Sequence, residues 1–205
     1  MSNAIARVRK PLNEQVPAYL PGSPEKIALK ARLAELRQST LEIPLIIGGK
    51  EVRSGKTAPC IVPHDHGHVL ATYHMAGEKE TAMAIDAALA AGKAWADMPW
   101  EHRLAIFLRA ADLIGGSWRA TLNAATMLGQ SKSVFEADAD AACELMDFFR
   151  YNSYFVRRIL DDQPETAPGM FNRMEYRPLE GFVFAVTPFN FTAIGGNLPT
   201  SPAMW

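Results

Sequence analysis

Five apolar residues in a row, Phe182-Val183-Phe184-Ala185-Val186, framed by Gly181 and by Thr187-Pro188, leave this chain few architectures to choose from. The run is too short for a helix and shows no polar alternation. It reads as a strand that needs cover on both faces, as in the parallel sheets of α/β proteins. Arg173 to Arg177 reads as another strand, joined to the first by Pro178-Leu179-Glu180. The apolar run exits into Thr187-Pro188-Phe189-Asn190 and then a further helix. In open α/β sheets ligands gather at the carboxyl ends of strands, so this exit is the first place to look for chemistry.

The preceding residues set the layers around that strand. Residues 1–22 hold Pro11, Pro17, Pro21 and Gly22 with little periodicity, which predicts an extended arm. Ser23-Pro24-Glu25 starts a helix, with Ser23 as N-cap and Pro24 in the first turn, and Ile27, Leu29, Leu33 and Leu36 carry it to about Gln38. Leu45 to Val52 is a hairpin turned at Gly48-Gly49. Residues 59–75 predict one more strand, ending near Gly77. Helical spacing then takes over: Glu78 to Ala96, His102 to Ile114, Ser117 to Leu128, and one long helix from Ser133 to Leu160 that stops before Pro164. No internal repeat or low-complexity stretch appears.

Charge and composition exclude several classes. The 205 residues are 48% hydrophobic and carry a net charge of −1, enough apolar material for a core and no basic surplus. No electrostatic ground remains for nucleic acid or an anionic membrane as partner. No apolar run approaches the roughly 20 residues a membrane-spanning helix needs. Arg7, Arg9 and Lys10 are followed by no apolar segment of the kind a secretory signal requires. Two cysteines, Cys60 and Cys143, are too few for a disulfide framework, and a reducing cytoplasm is the simplest setting.

A handful of side chains could carry chemistry. Asn190, at the stiffened exit after Pro188, could donate its amide N–H groups to a developing oxyanion. It could equally cap the helix that follows. Glu144 shares a face of the long helix with Ala137, Ala141, Phe148, Tyr151 and Phe155, and a carboxylate in an apolar stripe is costly unless it has a use or a partner. The competing reading is an exposed Glu at the stripe edge or a structural ion pair. His64, His66 and His68 alternate, but Pro63, Asp65 and Gly67 argue for a loop entering a strand rather than a metal site. Cys60 and Cys143 lie in no basic or turn context that would activate a thiol, so both read as structural.

The string Thr187-Pro-Phe-Asn-Phe-Thr-Ala-Ile-Gly-Gly-Asn197 resembles the strand-turn of the aldehyde dehydrogenase superfamily. It is most similar to the branch acting on Δ1-pyrroline-5-carboxylate, the cyclic form of L-glutamate γ-semialdehyde. Gly22-Ser-Pro-Glu25, His64-Asp-His-Gly-His68, Gly129-Gln-Ser-Lys132, Asp147-Phe-Phe-Arg-Tyr-Asn152 and Tyr176-Arg-Pro-Leu-Glu-Gly-Phe182 resemble that branch in the same order, from about Asn13 onward.

The resemblance implies an α/β chain forming the N-terminal part of an aldehyde dehydrogenase fold: extended arm, β-ribbon, helical layer and the start of a Rossmann-like NAD-binding domain. Residues 1–40 would be the arm and its helix, and 41–205 an incomplete NAD-binding domain. It implies NAD as cofactor and oxidation of the semialdehyde to L-glutamate in proline degradation. A cysteine thiolate attacks the aldehyde in that family, and Asn190 matches its oxyanion donor. Thr187, Pro188 and Phe189 match the NAD side of the turn. Glu144 and Phe191 match positions beside the substrate. No metal is implied. The partners are a small aldehyde and further copies of the full-length protein, as a dimer or higher homo-oligomer. The location is the cytoplasm, or the mitochondrial matrix in a eukaryote. Because the family's nucleophile and general base fall beyond Trp205, the chain is expected to be a portion of a longer enzyme, inactive and poorly stable alone. Two other readings stay open: a helical interaction module without catalysis, and a dehydrogenase for another aldehyde.

Overall fold

The computed structural model describes residues 7–204, so the first six residues of the expected arm and Trp205 lie outside it. The arm to Leu20 has no regular structure. It is nevertheless tied down, and Tyr19 is buried with a left-handed backbone (φ 50°). Helix α1 (Pro24–Gln38) begins as predicted, with the Ser23 hydroxyl accepting from the Lys26 N–H at 3.4 Å.

Strand β1 (Leu41–Ile43) is followed at once by β2 (Leu45–Ile47) and β3 (Lys50–Val52). Pro44, which has no N–H to give a ladder, separates β1 from β2, and the two join different sheets. The β2–β3 hairpin pairs Leu45 with Val52 and Ile47 with Lys50. Its turn needs positive φ twice, and Gly48 (57°) and Gly49 (75°) supply it without a Cβ penalty. The stretch predicted as one strand is instead a hairpin, β4 (Thr57–Val62) and β5 (Asp65–His74). Pro63-His64 forms its turn, so only His66 and His68 of the alternating histidines lie on the strand. β5 is central, antiparallel to β4 and parallel to β1.

The helical layer follows: α2 (Glu78–Asp97), α3 (Trp100–Gly115) and α4 (Arg119–Gln130). The expected long helix is broken in a specific way. A single turn of α5 (Val134–Ala137) leads into a π-helical turn, Asp138–Cys143, before α6 (Glu144–Asp161). A π turn widens the ladder by one residue and re-aims the side chains around it, and such turns favour functional places. Here it turns Asp138 fully inward.

Two cores result. Leu104, Phe107, Ala111 and Ile114 of α3 pack against Ala142, Leu145, Met146, Phe149 and Val156 and against Met204. Tyr19, Leu29 and Leu36 meet Ala124 and Leu128 of α4 and Val62 and Leu70 of the sheet.

The strands expected at Arg173–Arg177 and Gly181–Val186 do not form. From Asp162 to Ala193 the chain is irregular, followed by a 3-10 turn (Ile194–Gly196) and the short helix α7 (Asn197–Ala203). Phe184 is 81% exposed and Val186 75%. A strand has no backbone hydrogen bonds of its own and exists only beside a partner. Among the described residues no strand lies next to this one. Residues 178–183 rest instead along α2 and the end of α7, around a cleft of about 420 Å³ lined by Ala88, Gly92 and Trp95.

Candidate functional site

Asn190 sits in a turn at residues 189–190 whose backbone is held from outside the loop. Its side chain is exposed and has no hydrogen-bond partner among the described residues. It caps nothing: the 3-10 turn and α7 have Ala193 and Gly196 at their N-cap positions and no side-chain cap. The capping alternative is therefore excluded, and the amide remains available to a ligand. Thr187, Pro188 and Phe189 are exposed on the same loop, Phe189 at 97%. The loop folds back so tightly that a Cβ on Gly195 would stand 2.9 Å from Thr187 Cγ2. Only glycine permits that approach.

The external hold comes from the end of α4. Lys132 Nζ donates to the Asn190 carbonyl at 2.8 Å and to Asp140 Oδ2 at 2.5 Å, and lies 4.5 Å from the centre of the Phe191 ring. The Gln130 amide, oriented so that both its ends are satisfied, donates to the Asn190 carbonyl at 2.9 Å. Its oxygen accepts from the Phe191 N–H at 3.0 Å and the Thr192 N–H at 3.2 Å. Between these two residues Ser131 has a left-handed backbone (φ 55°, ψ 33°), and its hydroxyl bonds His64 Nδ1 at 2.8 Å.

Glu144 opens α6 and lines a separate cleft of about 530 Å³ with Asn13, Asp147, Phe148, Tyr151, Asn152 and Phe155. The predicted shared face is real, but it divides. Ala137 and Ala141 are buried, whereas Phe148 and Phe155 are exposed as the wall of the cleft. Glu144 makes no ion pair among the described residues. Its carboxyl is raised above the ordinary range, first by desolvation and then by Asp140 and Asp147, with Lys132 pulling the other way. The side chain is open to solvent, so the crowding that raises it comes from the cleft walls rather than full enclosure.

The arm forms one edge of this cleft. Asn13 Nδ2 and the Glu14 N–H both donate to the Asp147 carboxylate, at 2.8 and 2.9 Å, and Tyr151 donates to Asn13 Oδ1 at 3.3 Å. Glu14 reaches Arg119 at 3.0 Å and Arg150 at 2.7 Å. Burial pushes the Glu14 carboxyl up, but the two guanidinium groups outweigh it and hold the carboxyl below the usual range.

Arg119 also grips Asp138 through two bonds, 2.9 and 3.0 Å, and Asn123 links Asp138 (2.7 Å) to the Tyr19 hydroxyl (2.9 Å). Burial, then the adjacent Asp138, pushes the Tyr19 phenol up to about 12. Cys143 is buried in this network, 3.2 Å from Arg119 Nη2, so a basic neighbour is present after all. Burial and Asp138 still push its thiol up to about 11, the opposite of activation. Cys60 lies half-buried on β4. Among the described residues no cluster of His, Cys, Asp and Glu is gathered for a metal, and no helix is long and apolar enough to cross a membrane.

The structure thus brings Thr187, Pro188, Phe189, Asn190 and Phe191 together on one loop and puts Glu144 in the cleft of α6, with Lys132 and Asp140 between the two. Sequence reasoning assigned no role to Gln130, Lys132, Asp140 or the buried Arg119–Asp138 pair. Gln130 and Lys132 flank a serine that α4 must leave through a left-handed turn, which residue type alone does not announce. Asp138 is fully buried as the first residue of the π turn, which no local pattern marks.

Three comparisons bear on what the chain is. The model of the aldehyde dehydrogenase family matches residues 51–204. The chain is 52% identical over 194 residues to a Delta-1-pyrroline-5-carboxylate dehydrogenase of Agaricus bisporus, covering 94% of this chain and 36% of that protein. It is 45% identical over 195 residues to the mitochondrial Delta-1-pyrroline-5-carboxylate dehydrogenase of Homo sapiens, with 95% and 35% covered. The crystal structure of the Delta-pyrroline-5-carboxylate dehydrogenase from Mycobacterium tuberculosis bound with NAD superposes with a TM-score of 0.95 at 49% identity, over 99% of this chain and 38% of that one. That superposition bears out the α/β architecture, and the chain spans little more than a third of the length of these relatives. By the extent of the family match and the identity to these relatives, the chain belongs to the aldehyde dehydrogenase family.

Proposed function

We propose that this chain supplies the oxyanion donor and part of the cofactor and substrate walls of an enzyme that oxidises L-glutamate γ-semialdehyde to L-glutamate with NAD, a step of proline degradation. The observation carrying this is the Asn190 amide, free and exposed on a loop whose backbone polar groups are held by Gln130 and Lys132. An amide pre-aimed in this way gives its N–H groups to the aldehyde oxygen as negative charge develops there, with little reorganisation at the moment of reaction. Glu144 and Phe191 border the substrate, and Phe191 offers an apolar surface to its aliphatic carbons.

The exposed Thr187, Pro188 and Phe189, with the close Thr187–Gly195 approach, fit a flat cofactor laid against the loop. These residues would hold NAD, which when bound would supply the hydride acceptor for the oxidation. The buried Cys143, its thiol raised to about 11, is unsuited to attack the aldehyde. Residues 1–40 act as arm and supporting helix, and 41–205 contribute to the NAD-binding domain. The active protein is a homo-oligomer, at work in the cytoplasm or, in a eukaryote, the mitochondrial matrix, and several relatives are named mitochondrial.

The test is Asn190→Ala in the full-length protein that carries this sequence, read as NADH formation from the semialdehyde. Loss of one oxyanion donor lowers kcat by about 10²–10³. An unchanged kcat overturns the assignment of Asn190. A kcat/KM no better for the semialdehyde than for propanal overturns the substrate.

A further inference from the structure

We propose that Gln130 and Lys132 are positioning residues that set the direction of the Asn190 amide by consuming the backbone polar groups of its turn. This deepens the reading of Asn190 as the oxyanion donor and rests on it.

A turn has its own N–H and C=O groups, and these compete with the side chain for whatever approaches. Here three of them are already spent: the Asn190 carbonyl and the Phe191 and Thr192 N–H groups. The Gln130 oxygen takes the N–H groups of Phe191 and Thr192, and the Asn190 carbonyl receives both Gln130 Nε2 and Lys132 Nζ. The Asn190 side chain is left unspent beside them. Lys132 cannot swing away at little cost, because Asp140 holds its ammonium at 2.5 Å and the Phe191 ring lies 4.5 Å beneath it. A carbonyl that receives a charged donor and a neutral one is fixed in orientation, and the Asn190–Phe191 peptide plane is fixed with it.

The geometry that delivers both donors is itself held under strain. Ser131 sits at φ 55° without being glycine, a conformation that persists only where surroundings over-determine it. The His64 ring bonds its hydroxyl at 2.8 Å. That left-handed residue is what lets the last residue of α4 and the second one after it converge on one loop. Asp140 comes from the π turn, so the interruption of the long helix contributes a third element to the same clamp. Glu144 follows that turn and feels the charge of Lys132.

The experiment uses the full-length protein with Gln130→Ala, Lys132→Met, Lys132→Arg, Asn190→Ala and the double variant Lys132→Met with Asn190→Ala. Two readouts are taken: amide hydrogen exchange at Phe191 and Thr192, and kcat. Gln130→Ala, which removes the acceptor of both amides, is expected to speed their exchange by about tenfold, and Lys132→Met, which releases the Asn190 carbonyl, to speed it severalfold. Each is expected to lower kcat about 10- to 100-fold, as a small misplacement of a reacting group does. Lys132→Arg restores most of both. In the Asn190→Ala background, Lys132→Met adds less than about a twofold further loss, because residues acting as a unit are not additive. A full, multiplicative loss there would show a structural role and overturn the proposal, as would unchanged exchange at Phe191 and Thr192. Wild-type kcat in Asn190→Ala with altered exchange in the clamp variants would instead sink the oxyanion reading alone.

Discussion

The helical layer, from Trp100 to Asp161, and the stretch from Asp162 to Ala193 are both rich in large apolar residues, yet one buries them and the other does not. Leu104 and Met146 are 1% and 0% exposed, whereas Phe171 and Phe184 are 82% and 81% exposed. Hydrophobicity does not separate them. A helix closes its hydrogen bonds within itself and needs a neighbour only for its apolar stripe. A strand needs a neighbour for its backbone as well, and sequence can announce the strand without providing the partner. The helical layer also pairs its fully buried Asp138 with Arg119 and with the Asn123 amide, which lock the π turn to α4 and, through Tyr19, to the arm. The extended stretch is anchored at its end, where Gln130 and Lys132 hold residues 190–192, and before that by isolated bonds such as Met174 N–H to Gln163 at 2.8 Å.

The sharpest way to break this contrast is to strip the helical layer of its paired charge. Asp138→Ala leaves the Arg119 guanidinium, only 15% exposed, without its bidentate partner. Breaking one side of a buried pair costs about 3–5 kcal/mol. The expected result is a large fall in the urea midpoint, and a fall equal to that of a surface Asp97→Ala control would refute the role given to the network.

A smaller effect comes from pH. The Cys143 thiol rises from an ordinary 9.0 to about 11 in the fold because the neutral form is favoured there. A group raised on folding stabilises fully below its unfolded value and loses that contribution as pH rises through the folded one. Stability should therefore decline between pH 9 and about 11, and Cys143→Ala should flatten the decline. Urea titrations at pH about 8 and about 10.5 check it. A steeper loss in the variant would contradict it.

The smallest expected effect is in the other region. Phe184→Ser, at an 81% exposed position, should shift the stability of this chain by less than about 0.5 kcal/mol. It should also reduce self-association, because an exposed apolar segment with unpaired backbone templates it. Light scattering against concentration reads that change. A loss of several kcal/mol would mean that the stretch is packed in solution.

Local rules made much of the molecule legible. Ser23-Pro24 capping α1, the Gly48-Gly49 turn and the apolar spacing of α3 are short-range chemistry, and the structure agrees with each. That Asn190 would lie in a turn at the end of the apolar run was legible too, through the stiff Pro188 before it. Other features depended on residues distant in sequence. The π turn exists where Asp138 meets Arg119 and Asn123, fifteen to nineteen residues away. The clamp on the Asn190 turn spans nearly sixty residues, from α4 to the loop.

Helix, cap and hairpin follow from interactions within a few residues, so the amino-acid order alone determined them. Which polar groups are spent and which stay free, which apolar run finds cover, and where a helix yields to a π turn were decided only when separate elements met. Burial and hydrogen bonding between distant segments are properties of the assembled fold, and no local pattern contains them.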